Sequence, residues 1–109
     1  MKEKAKKYLS DIISAIDLIN DFMTEIDDFN QYDTDLKTQS AIERQLGIIG
    51  EAANKLQKEY LDYALENSKQ IIGFRNRLIH AYDSIDNSIV WVILKKHLIP
   101  LKEEIEKLQ

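Results

Sequence analysis

Near the N-terminus, apolar residues recur at spacings of three and four: Tyr8, Ile12, Ala15, Ile16, Ile19 and then Phe22 or Met23. That period predicts a helix from about Lys2 to Ile26 with one buried face. The stretch "DDFNQYDTD" breaks the period with acidic and amide residues and reads as a loop. A second stripe, Ala41, Ile42, Leu46, Ile49, Ala53 and Leu56, predicts a helix from Asp33 or Thr34 to about Lys58. Inside it Gly47 and Gly50 stand three apart. Glycine in a helix interior costs roughly 1 kcal/mol, so the pair predicts close backbone approach to another helix. "EYLDYALENSK" reads as a short irregular or helical connection, and a third helix follows over Lys69 to Tyr82. "DSIDNS" then interrupts, with Asp86 placed to cap a last helix carrying Ile89, Val90, Val92, Ile93 and Leu98. Pro100 predicts a kink or restart near His97, after which "LKEEIEKLQ" resumes the helical period. The sum is an all-α fold, one domain over residues 1–109, built as an up-and-down bundle of four main helices.

One residue conflicts with this pattern. Ile71, Leu78, Tyr82 and Ile85 share a stripe at about 100° per residue, and Arg75 falls on it. An unpaired charge in a dry core is very costly. Arg75 must therefore pair, snorkel, or line a cleft or subunit interface. Asn76 and His80 are four apart on one face, so the amide can orient the imidazole. Arg75 and His80 are about 140° apart on a regular helix. They converge only if the helix loosens near its end or two subunits share one groove. Glu51, bordered by Gly50, Ala52 and Ala53, is either an exposed helix glutamate or the partner of a buried cation.

Composition narrows the chemistry. The chain has 109 residues, no cysteine, three glycines, one proline and a formal net charge of −4. Disulfides, thiolate metal sites and cysteine nucleophiles are excluded. The acidic balance argues against bulk electrostatic binding of nucleic acid, so an RNA-directed role needs a local positive site. Three small basic groups exist: Lys4 with Lys6 and Lys7, Arg75 with Arg77, and Lys95 with Lys96 and His97. The basic N-terminus is not followed by a long apolar stretch, and the apolar runs are short, so neither a signal peptide nor a membrane span is expected. A cytoplasmic location is the expectation.

No carboxylate cluster or histidine-rich metal-ligand spacing is present, and the acidic loop lacks the ligand spacing and central glycine of a calcium-binding loop. Neither a metal nor another cofactor is expected. The chain also lacks a glycine-rich phosphate loop. Histidine with arginine nevertheless suffices for metal-independent RNA cleavage. Histidine acts as general acid or base near neutral pH. Arginine holds a phosphate bidentately and stabilises the charge that develops on it. The substrate's own 2′-hydroxyl is the nucleophile.

The segment "RNRLIHAY", with Arg75, Asn76, His80 and Tyr82, resembles the motif of the HEPN superfamily. Within it, the resemblance is to the HepT-like toxins paired with minimal nucleotidyltransferase (MNT-type) antitoxins. "RQLGIIGEAANKL" and "IDNSIVWVILKKHLIPLKEEIEKL", including Trp91, are similar to the family's flanking helices. The resemblance implies a four- or five-helix fold and a two-fold homodimer in which the motif helices meet. It implies a ribonuclease toxin with Arg75 and His80 catalytic, and Asn76, Arg77 and Glu51 are the candidates to support them. It further implies neutralisation by the cognate nucleotidyltransferase, through binding or by transfer of AMP to Tyr82. Two other readings stay open: a non-catalytic partner of a nucleotidyltransferase that holds nucleotide or substrate, and a purely structural helical dimer.

Overall fold

The computed structural model describes residues 2–80, 83 and 85–108. Its elements are α1 (Glu3–Phe22), α2 (Phe29–Asp33), α3 (Leu36–Glu59), α4 (Lys69–His80), α5 (Asn87–Lys96) and α6 (Leu98–Leu108), with single 3-10 turns at Leu61–Tyr63 and Glu66–Ser68. No strand occurs among the described residues, and the predicted all-α bundle is found.

The long pair α1 and α3 forms the centre. Leu9, Ile12, Ile16 and Ile19 of α1 and Ile42, Leu46, Ile49 and Leu56 of α3 are fully buried together. Helix α4 lies on the other flank of α3 and buries Ile71 and Phe74. The last helix closes the bundle through Val90, Ile93, Leu98, Leu101 and Ile105. It breaks at His97, as Pro100 predicts. The prolyl ring cannot follow a continuous turn, but it fits the third residue of α6, where no helical partner is needed. Asp86 caps α5, accepting from the Ser88 N–H at 2.9 Å and the Ser88 hydroxyl at 2.6 Å. These two bonds, the hydroxyl's first, hold its carboxyl below the usual range.

Two predicted boundaries are corrected. Helix α1 stops at Phe22, short of Ile26. The Thr24 hydroxyl takes the carbonyls of Asn20 (3.2 Å) and Asp21 (2.8 Å), and the acidic residues that follow sit badly at a helix C-terminus. Phe22 is consequently at the surface rather than on the buried stripe. The segment read as a loop contains α2. Asp28 accepts from the Gln31 N–H at 2.9 Å while the Gln31 side chain accepts from the Asp27 N–H at 2.6 Å, a reciprocal cap. Phe29 and Tyr32 then pack against Trp91 with ring centroids 5.9 and 6.1 Å apart. Helix α3 accordingly begins later than predicted, at Leu36, capped by Asp35.

The glycine pair has the predicted meaning, at one position above all. A Cβ on Gly50 would lie 2.5 Å from Arg75 Cβ and 2.9 Å from the Ile71 carbonyl oxygen, whereas one on Gly47 would meet only Leu78 Cδ1, at 3.6 Å. The backbone of α4 cannot yield at the first position. Gly50→Ala is therefore expected to destabilise the fold by about 1–3 kcal/mol, the range for overpacking. Gly47→Ala is expected to be neutral or stabilising by up to about 1 kcal/mol through helix propensity. Urea unfolding of the two variants checks the difference, and equal effects would contradict the packing argument.

Candidate functional site

Helix α4 places the candidate residues. Its apolar side, Ile71 and Phe74, locks it to the bundle, so every other position has a fixed direction. Arg75 is half-buried. Its stem lies where a Cβ on Gly50 would be, so the arginine sits on the apolar stripe because a glycine on α3 makes room for its methylenes. Arg75 lines a cavity of about 420 Å³ between α3 and α4. Ser40, Glu43, Arg44, Gly47 and Glu51 line it from α3, and Leu78 and Ile79 line it from α4. Arg75 Nη1 donates to Asn76 Oδ1 at 3.3 Å. The Asn76 amide oxygen is thus turned to the guanidinium, where the sequence suggested the imidazole.

His80 is exposed on the last turn of α4. The helix stays regular up to it, so Arg75 and His80 of one chain face directions about 140° apart. Arg77 is directed elsewhere again. It lines a second, largely apolar cleft of about 450 Å³ between α4 and α5, with Gly73, Phe74, Val92 and His97. The sequence groups Arg77 with Arg75, but the structure puts them on opposite sides of α4. Glu51 is exposed, bridges Lys55 at 3.2 Å and borders the Arg75 cavity. Tyr82, the expected AMP acceptor, lies outside the described residues.

Two charged cavity residues escaped the sequence reading: Glu43 and Arg44. They share a face with Ser40, Gly47 and Glu51 at helical spacing, a register that the glycine and glutamate already marked. Burial pushes the Glu43 carboxyl up, so it gives up its proton less readily than a free glutamate. Burial likewise raises the Tyr32 phenol, with the Glu43 charge adding to it.

The charges are unevenly spent. Lys4 pairs with Glu59 at 3.1 Å, Lys6 with Glu3 at 3.6 Å and Lys7 with Asp11 at 2.9 Å, while Lys95 lies over the Trp91 ring at 4.6 Å. None of the ion pairs among the described residues includes Arg44, Arg75 or Arg77. Arg44 stands on α3, and Arg75 and Arg77 stand on α4. Among the described residues, no group of three or more His, Cys, Asp or Glu is placed to hold a metal ion, and no helix is long and apolar enough to cross a membrane.

Comparison with known proteins gives concordant matches. A family model described as "Ribonuclease HepT-like" matches residues 12–108. A protein of Thermococcus cleftensis named "Probable ribonuclease HepT" is 38% identical over 110 residues, covering 100% of this chain and 99% of its own. An RNase-named protein of Methanocaldococcus jannaschii is 31% identical, covering 96% of both chains. One of Caldanaerobacter subterraneus is 28% identical over 94% of this chain and 92% of its own. No solved structure gives a significant match.

Proposed function

The chain belongs to the HepT-like ribonuclease family, and from that premise we propose that it is the RNA-cleaving toxin of a toxin–antitoxin pair. The observation that carries the mechanism is the division of labour on α4. A cavity-lining arginine has its guanidinium hydrogen-bonded to Asn76, and an accessible imidazole lies on the last turn of the same helix. In this reading Arg75 grips the scissile phosphate through two N–H groups, and its charge stabilises the extra negative charge of the transition state. His80 takes the proton of the 2′-hydroxyl, whose oxygen attacks phosphorus and forms the new P–O bond. The 5′-oxygen of the next nucleotide leaves and is protonated. A 2′,3′-cyclic phosphate and a 5′-hydroxyl result, with no metal required.

Because one chain points Arg75 and His80 apart, the complete site is assigned to a homodimer in which the two α4 helices meet. Gly73 supports this. A Cβ there would have nothing of the same chain within 4 Å, so the glycine has no internal packing reason. It lies on the α4–α5 cleft side of α4, the side of His80 and away from Arg75, and its roughly 1 kcal/mol cost to the helix fits close approach of a partner helix there. Ile79, 51% exposed, adds apolar surface on the Arg75 side of the same helix.

The partner in this reading is the cognate nucleotidyltransferase, which blocks the toxin by binding or by moving AMP from ATP onto Tyr82. In the transfer, the phenol oxygen bonds to the α-phosphorus and pyrophosphate leaves. The added phosphate occupies the Arg75 end of the motif and repels RNA. The test is co-incubation with the cognate nucleotidyltransferase and ATP, followed by intact-mass measurement and growth assays. Wild type is expected to gain AMP and lose toxicity. Tyr82→Phe is expected to stay toxic and unmodified. Neutralisation at unchanged mass would make the antitoxin a blocker by contact. A wild type that binds the nucleotidyltransferase but neither cleaves RNA nor arrests growth would favour the non-catalytic partner.

A further inference from the structure

We propose that Arg44 holds the phosphodiester next to the scissile one, so that the cavity between α3 and α4 is a track for single-stranded RNA backbone. The proposal rests on the ribonuclease reading and extends it to a residue outside the motif. Arg44 and Arg75 line the same cavity from facing helices. Arg75 is level with Gly50, against which its Cβ packs. Arg44 stands six residues earlier on α3, which is about 9 Å along the helix at about 1.5 Å per residue. That backbone offset leaves room for neighbouring phosphates on one strand. Gly47, between them on the cavity wall, leaves no side chain to divide the two guanidiniums.

The electrostatics favour an anion here despite the two glutamates. Glu51 is engaged with Lys55 at 3.2 Å. Burial disfavours the charged form of Glu43. With Lys55 counted beside Glu51, the cavity wall carries Arg44, Arg75 and Lys55 against Glu43 and Glu51, a positive balance on a protein whose net charge is −4 and whose Lys4, Lys6 and Lys7 are paired. The Ser40 hydroxyl, one turn before Arg44, adds a neutral donor on the same wall. RNA is favoured over an acidic protein segment because the cavity is continuous with the guanidinium that grips the scissile phosphate.

The test uses Arg44→Gln and Arg44→Lys, each in wild type for cleavage and in a His80→Ala background for binding to a short single-stranded RNA. Arg44 is exposed, so both variants are expected to fold. Arg44→Gln should weaken binding about fivefold at low salt and uniformly across sequences. It should also flatten the logarithmic salt dependence by about 0.7 for each phosphate that is no longer neutralised. KM should rise more than kcat falls, and Arg44→Lys should recover most of the affinity. Unchanged affinity and salt slope in Arg44→Gln, with the parent binding RNA normally, would overturn the track alone. Loss of nucleotidyltransferase binding with RNA affinity intact would also overturn it, and would give the cavity to the protein partner. A parent that neither binds nor cleaves RNA would overturn the ribonuclease reading itself.

Discussion

His80→Ala is expected to reduce RNA cleavage by about 10³-fold, the middle of the range for losing a general acid–base, while helical content and dimerisation stay as in wild type. The side chain is exposed at the end of α4 and takes no part in the core. Surface substitutions of that kind stay within about 0.5 kcal/mol of wild-type stability. No neighbour can replace the imidazole. The Asn76 amide oxygen is turned to Arg75, and His97, the other histidine, lines the cleft on the α5 side. Wild-type cleavage should persist in excess EDTA and leave 2′,3′-cyclic phosphate ends. Full activity in a folded His80→Ala dimer would remove the imidazole from the mechanism. Strict dependence on a divalent ion would overturn attack by the 2′-hydroxyl without metal.

Much of the architecture was legible because its signals are local. Asp86 needs only its own Ser88 to cap α5, and Pro100 breaks the last helix through its own ring. The close approach at Gly50 was legible because a glycine inside a helix demands a reason nearby. What stayed hidden depends on partners distant in sequence. Helix α2 has the acidic and amide content of a turn; its Asp28–Gln31 cap is local, but the contact of Phe29 and Tyr32 with Trp91 that anchors it is distant in sequence. Arg44 joins Arg75 only because α3 and α4 pack at Gly50. Arg77 shows the reverse error. Proximity in sequence suggested one site, yet two residues along a helix is about 200° of rotation, and Arg77 faces another cleft.

For Arg75, the expected result separates packing from chemistry. The stem occupies the space left by Gly50, while the guanidinium donates to Asn76 at 3.3 Å and the residue lines the cavity. Arg75→Met keeps an unbranched stem of methylene character over Gly50 and discards the charge. It should unfold in urea within about 1 kcal/mol of wild type, as volume-conserving changes do. Its cleavage should fall by about 10²–10³-fold, the loss typical of removing one group that stabilises transition-state charge. Arg75→Ala should lose cleavage equally and also lose stability, because the half-buried stem no longer covers α3. Arg75→Lys should restore the fold fully and the rate only in part. An ammonium supplies the charge, but it lacks the planar fork that grips a phosphate with two parallel N–H groups, and it presents no guanidinium edge to Asn76. Single-turnover cleavage and urea unfolding on the same preparations read the two effects separately. Wild-type cleavage by Arg75→Met would mean that the guanidinium never meets the phosphate. Arg75 would then be an arginine that packs through its stem and sends its charge to water.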